Sequence, residues 1–437
     1  MQVRRSLSAL RADFRTLKVA PKELWINYII GLLEYYAYFA IAVTLVLMLS
    51  KEFGFSDKRA GWAYGSFAMM ISVAGILVGT AVDRWGVRKS LIIGTSLALV
   101  SRLIVTFTHN EWLMWLSIMV LMPLGMALVF IALPAGIKRY TNNENRTFGF
   151  SLAYVFRNVA ALSALPLVDV FRSVFKQGVV VAGITLSPYR LLLLTSVLTT
   201  LLAVVLSALF VREIEVDDSG VAAFEPDKQS PWSIYSKVLR ESHIWKFLLF
   251  LVFMLAVRMI FKHLDATFPK YLVRELGKGA MFGTVTSLNP FLIVLLVPLM
   301  SPLAKRIGVV RSIILGTAIS GLAVLFLSIP ASYATAIAFV VFLSLGESIW
   351  APRLNEFITV ASPKGREGTY LSLAAIPMFI AKFFTGGFSG YMLATYCPAT
   401  GPRNCEMMWL WIAMITLSSP VLILLFRNLF KGSGFQK

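Results

Sequence analysis

Gly79-Thr80-Ala81-Val82-Asp83-Arg84-Trp85-Gly86-Val87-Arg88-Lys89 lies between two long apolar runs, Trp62 to Val82 and Leu91 to Phe107. A short glycine-punctuated turn of mixed charge between such runs reads as a connection at a membrane surface. Gly79 lets two helices approach closely, and Gly86 supplies the backbone angles of a tight reversal. Asp83 is able to accept hydrogen bonds from helix-end amides, while Arg84, Arg88 and Lys89 are held on the cytoplasmic side.

The rest of the chain agrees with a membrane setting. Of 437 residues, 58% are hydrophobic and 14% charged, against about 25% charged in soluble domains. The apolar residues come in runs of roughly 20, the length that crosses a bilayer core. Twelve such runs are expected, at 24–49, 60–82, 89–108, 112–137, 147–171, 187–211, 244–269, 281–304, 312–330, 333–358, 367–396 and 407–429. Of the 41 Lys and Arg, 26 fall in alternate segments and 10 on the opposite face. That bias puts both termini in the cytoplasm and makes the net charge of +19 an orienting device rather than a nucleic-acid surface.

The pattern G-x-x-x-D-R-x-G-x-R-K resembles the signature loop between helices 2 and 3 of the major facilitator superfamily. Its second copy is visible in the chain. Ser301 to Ile313 repeats Gly79 to Leu91, with Gly308 on Gly86 and Arg306 on Arg84, while Lys305 replaces Asp83. Pro134 and Pro352 occupy comparable places near the ends of spans 4 and 10. The fold expected is all-α, with twelve transmembrane helices in two pseudo-symmetric six-helix bundles. The domains are a basic amphipathic segment or disordered tail at 1–22, bundles at 23–211 and 244–430, a cytoplasmic linker at 212–243 and a tail at 431–437. Residues 1–22 are charged throughout and carry no signal-peptide pattern.

Charges inside apolar runs are costly, so those present are candidates for a transport path or for pairs that lock helices. Glu34, Arg157, Arg258, Glu347 and Lys382 lie well inside spans 1, 5, 7, 10 and 11. Glu34 and Glu347 are the candidate proton-coupling carboxylates. Tyr35, Tyr38, Arg157, Arg258, Trp350 and Lys382 are candidate solute contacts. Gly79, Asp83, Arg84, Gly86, Arg88 and Lys89, in the loop that resembles the superfamily signature, are the expected conformational switch. Lys262 with Asp265 and Arg353 with Glu356 are candidate ion pairs or gates. Span 3 is peripheral in this superfamily, so Arg102 is expected to have a structural partner or to snorkel outward. Cys397 and Cys405 share the last outer loop, where an oxidising compartment permits a bridge; two separate thiols are the alternative.

Gly31-Leu32-Leu33-Glu34-Tyr35-Tyr36-Ala37-Tyr38-Phe39 resembles the E-x-x-E-R-F-x-Y-Y motif of proton-coupled oligopeptide transporters. Glu34 matches the second glutamate and Tyr38 the first paired tyrosine, and Tyr36 and Phe39 are aromatic replacements. Gly31 stands in place of the first glutamate and Tyr35 in place of the arginine. The family's span-4 lysine is also missing, because Leu113 to Ile137 holds no charge.

These features imply a secondary active transporter working by alternating access, with proton-coupled symport of a peptide or other amphiphilic zwitterion as the expected activity. Proton-coupled efflux of drugs or uptake of organic anions is the alternative within transport, and a non-transporting membrane receptor the alternative outside it. The expected partners are a small organic solute, protons and membrane lipids, with the chain a monomer in the plasma (inner) membrane. No cofactor, metal or enzymatic centre is expected. The histidines His109, His243 and His263 lack helically spaced ligand partners, and no G-x-x-x-x-G-K-[S/T] loop occurs.

Overall fold

The computed structural model describes residues 20–142, 145–181, 183–217, 220–223, 242–361 and 367–430. The expected surface helix, most of the linker, the C-terminal tail and the side chains of Asp83, Lys305 and Glu356 lie outside the described set.

Apolar runs of this length form helices because a bilayer leaves backbone polar groups no partner but one another. Nine helices among the described residues are long and apolar enough to cross a membrane, and the bent pair Ile244–Phe253 with Leu255–Ala266 makes a tenth. The first part of Asp57–Phe107 and the helix Glu367–Tyr396 stand where spans 2 and 11 are expected. Together they give twelve spans. Polar residues stop the loops where the runs begin: Asn110, Ser187 and Asn404 each accept a hydrogen bond from the first turn of the helix that follows.

Spans 2 and 3 are not separated by a coil. Helix runs from Asp57 to Phe107, interrupted only at Gly86, whose φ of 83° and ψ of 176° belong to a region open essentially to glycine alone. Gly308 has φ 90° and ψ 159° between the helices Phe282–Ile307 and Val309–Ala323. The repeat seen in sequence is thus a repeat in backbone geometry.

Span 7 departs from the expected single helix. It bends by 46° at Met254, whose N–H is shared between the carbonyls of Phe250 and Leu251. It resumes after Thr267 as Phe268–Glu275, beyond the expected limit at 269, so Lys270 and Arg274 are helical. Pro269 lies in the first turn of that last segment, where its missing N–H has no helical partner to lose.

Packing divides the chain into two compact units, 1–41 with 70–164 and 175–228, and 42–69 with 165–174 and 229–437. The first is centred on Leu24, Val82, Leu91, Val129 and Ala132. The second is centred on Phe247, Phe250, Met254, Ile313 and Trp350. Inside the second unit, Gly61 and Gly65 of span 2 meet Gly386 and Gly390 of span 11 backbone to backbone. A Cβ on Gly390 would stand 2.5 Å from the Asp57 carbonyl, and one on Gly65 2.5 Å from that of Phe383. Only glycine permits this approach.

Candidate functional site

A cavity of about 180 Å³ opens in the first unit between spans 1, 4 and 5. One stripe of span 1, Asn27, Gly31 and Tyr35, faces it at the four-residue repeat of a helix. Arg157 of span 5 also lines the cavity and is exposed there. Its guanidinium lies over the Tyr35 ring, 5.4 Å from the centroid. Tyr35 stacks on Phe130, with centroids 4.9 Å apart, and Phe130 meets Tyr38 edge-on at 5.6 Å. The structure therefore brings together Tyr35, Tyr38 and Arg157. Tyr28 donates to the Gly149 carbonyl at 2.8 Å, and Asn27 Nδ2 to the Leu133 carbonyl at 3.0 Å.

Glu34 is one residue off that stripe and faces elsewhere. Both its oxygens accept from Arg102 Nη1 at 3.0 Å, and each residue is 1% exposed. Thr200 of span 6 is a further partner of Arg102. Arg102 thus has the structural partner expected of it, and that partner is Glu34.

In the second unit, Asp265 accepts from Lys262 at 3.0 Å and from Tyr64 at 2.8 Å. Arg258, on the same helical face, makes no side-chain hydrogen bond or ion pair with any described residue. Glu347 accepts from Asn289 Nδ2 at 2.8 Å, and Asn289 also reaches Ser344 at 3.0 Å. Trp350, read from sequence as a solute contact, is packed in the apolar cluster of this unit, 5% exposed, with Nε1 turned to Ser320 Oγ at 3.3 Å. Lys382 is half-buried and Arg353 is buried.

The signature loop is held by a residue that sequence reasoning missed. Glu213, just past span 6, accepts from the Val87 and Arg88 amides at 2.8 Å each and from Arg139 Nη1 at 2.9 Å. It caps the helix that starts after Gly86, where a Cβ would lie 2.5 Å from its Oε2. Arg88 reaches the Ala208 carbonyl at 2.8 Å, and the neighbouring Arg212 pairs with Glu23. Arg84 and Lys89 are exposed. The available signal was an acid placed directly after an apolar span, next to Arg212.

A second cluster that went unread closes around Asp57. Lys270 and Arg274 approach its carboxylate at 2.8 and 2.6 Å, and Lys270 also donates to Ser50. Burial acts to raise the Asp57 carboxyl, but Arg274 and Lys270 outweigh it and hold the group below its usual value. Arg274 also donates to the Cys397 carbonyl. Cys397 and Cys405 are disulfide-bonded, with Cα atoms 4.8 Å apart.

The chain is similar in fold to solved POT family transporter structures over 94% of its length. A POT family transporter in complex with 5-aminolevulinic acid matches with a TM-score of 0.74 at 14% identity, covering 94% of this chain and 97% of that one. A POT family transporter in complex with a thioalcohol-conjugated peptide gives 0.73 at 15%, with 94% and 97% covered. Tetrameric PepTSo2 gives 0.72 at 14%, with 94% and 99% covered. The sequence profile of the major facilitator superfamily matches residues 28–277, more than half of the chain. With twelve spans in order and a doubled glycine loop already established, the protein belongs to the major facilitator superfamily.

Proposed function

We propose that the protein is a secondary active transporter that moves a small organic solute by alternating access, coupled to protons, and that the solute is a peptide or other amphiphilic zwitterion. The observation that carries this reading is the first-unit cavity, in which apolar walls surround one exposed arginine laid over an aromatic stack. Pockets of this kind hold an amphiphile by its body and orient it by a few polar contacts. Solved relatives of the same fold bind a thioalcohol-conjugated peptide and 5-aminolevulinic acid.

Glu347 is the coupling carboxylate in this reading. It is half-buried in the middle of span 10, where the amide of Asn289 donates to it at 2.8 Å. A carboxylate so placed exchanges a proton as its surroundings wet and dry. Glu34 differs, because its carboxylate is paired with the Arg102 guanidinium. Its role is to fix spans 1 and 3.

The protein acts in this reading as a monomer in the plasma (inner) membrane with both termini cytoplasmic, and it performs no chemistry on its solute. Counterflow of labelled dialanine into proteoliposomes preloaded with unlabelled dialanine is the test. Exchange above that of protein-free liposomes is expected; binding without exchange would make the protein a receptor.

A further inference from the structure

The Cys397–Cys405 bridge is a reactive bond that the proposed transport cycle does not use. It closes the loop between spans 11 and 12. Residues 399–404 of that loop are exposed, yet Cys397 and Cys405 are 0% and 2% exposed. The loop is docked on the last helix of span 7. Arg274 donates to the Cys397 carbonyl. Arg403, inside the loop, donates to the Pro398 and Ala399 carbonyls at 3.0 and 3.2 Å. It also reaches out to the Arg274 carbonyl and to Glu275. The Asn404 amide meets the Tyr396 carbonyl at 2.7 Å.

The same Arg274 grips span 2. Its Nη1 goes to the bridged loop, and its Nη2 to Asp57 at 2.6 Å. One planar guanidinium thus joins the loop to the start of span 2, and its rigid fork couples the two directions. The bridge confines the segment that carries the Cys397 carbonyl. Cutting it returns conformational freedom to that segment and takes a fixed acceptor from Arg274.

We propose that the loop from Cys397 to Cys405 is a redox-sensitive strap. Bridged, it holds Arg274 on Asp57 and keeps spans 2 and 7 together at this end; reduced by an external dithiol, it lets that end open more readily. One thiolate of the dithiol attacks a bridge sulfur, the S–S bond breaks, and the other cysteine leaves as a thiolate that takes a proton. The second thiolate of the dithiol then attacks the mixed disulfide and releases the first cysteine, which is protonated in turn. The cysteines gain two electrons and two protons, and the dithiol is oxidised to a cyclic disulfide. Both sulfurs are out of water, so attack occurs from the opened form, and reduction quickens as that form is populated. Whatever frees Asp57 from Arg274 therefore also exposes the bridge. That this opening admits solute rests on the alternating-access reading.

The chain has two cysteines in all, so intact mass after alkylation counts the reduced bridge directly. The test follows reduction of purified full-length protein by dithiothreitol, quenched with N-ethylmaleimide. Asp57→Asn touches neither cysteine and is expected to speed reduction by about 10-fold, the factor set by loss of one charged hydrogen bond. Arg403→Gln undocks the loop and is expected to do the same, which reads the effect should the Asp57 variant fail to fold. Glu34→Gln, destabilised in the other unit, is the control and is expected to reduce at the wild-type rate. Wild-type rates in Asp57→Asn and Arg403→Gln, or equal acceleration in Glu34→Gln, overturn the strap. Dialanine counterflow in proteoliposomes is expected to run about 3-fold faster with protein kept reduced than with bridged protein, as the opened form is more populated. Equal or slower counterflow overturns the control of access. Faster reduction of Asp57→Asn with no counterflow in either form supports the strap and overturns the transport reading.

Discussion

Glu34 and Glu347 look alike in sequence, each a lone acid in an apolar span, and their surroundings part them. Glu347 accepts from the Asn289 amide, a hydrogen bond that the carbonyl of a glutamine in its place can also accept. Glu347→Gln is expected to preserve solute counterflow while abolishing accumulation driven by a pH gradient. Measuring both in the same proteoliposome preparation decides it, and normal accumulation would assign coupling elsewhere. Glu34 meets a guanidinium, with both side chains out of water. Removing one member of a buried pair strands the other, at about 3–5 kcal/mol. Glu34→Gln should therefore lower the melting temperature of the purified protein sharply. Replacing both residues with apolar ones, as in Glu34→Leu with Arg102→Met, should recover most of that loss. An unchanged melting temperature in Glu34→Gln would contradict the structural assignment. The presence of these charges was legible in sequence, but their partners were not. Pairing between positions 34 and 102 depends on how spans 1 and 3 are rotated, and one hundred degrees of rotation per residue separates Glu34 from the cavity that Tyr35 lines.

At the scale of elements, the sequence was most readable where backbone geometry demands one residue type. The alignment of Gly86 with Gly308 reappears as two matching positive-φ breaks because no other residue adopts those angles cheaply. The bend of span 7 had no such marker: residues 250–258 contain neither proline nor glycine, and the bend comes from a shared amide at Met254. The glycine crossing of spans 2 and 11 also escaped notice, since Gly61, Gly65, Gly386 and Gly390 stand more than 300 residues apart in sequence. A methyl on Gly65 would press on the Phe383 carbonyl. Gly65→Ala should therefore destabilise the protein by about 1–3 kcal/mol, the range typical of overpacking, read as a fall in melting temperature. A variant as stable as wild type would show that the two helices separate freely. Beside that crossing, Asp57 is held ionised by Arg274 and Lys270. A depressed carboxyl contributes stability that is fully present above its unfolded value and is lost only as pH falls through its lower folded value. The difference in melting temperature between wild type and Asp57→Asn should therefore stay constant from pH 8 to pH 5. A difference that shrinks across that range would place the folded value higher than the geometry implies.

For the whole molecule, composition and charge bias carried the architecture. Runs of bilayer length, the asymmetry of basic residues and the doubled loop need no tertiary information, and together they specify twelve helices in two repeated sets. The proposed solute cavity needed the structure. Arg157 and Tyr35 are 122 residues apart in sequence, and only the packing of span 5 on span 1 sets the guanidinium on the ring. Trp350 shows the converse, an aromatic side chain read from sequence as a solute contact that is used for packing. The central claim is that a solute seated against these side chains is driven by protons. Its most direct test is uptake of labelled dialanine and alanylglutamate into proteoliposomes containing the purified protein, with an inward pH gradient imposed and then collapsed by a protonophore. The account predicts accumulation of at least one of these solutes above equilibrium with the gradient and only equilibration without it. Equal uptake under both conditions would contradict it.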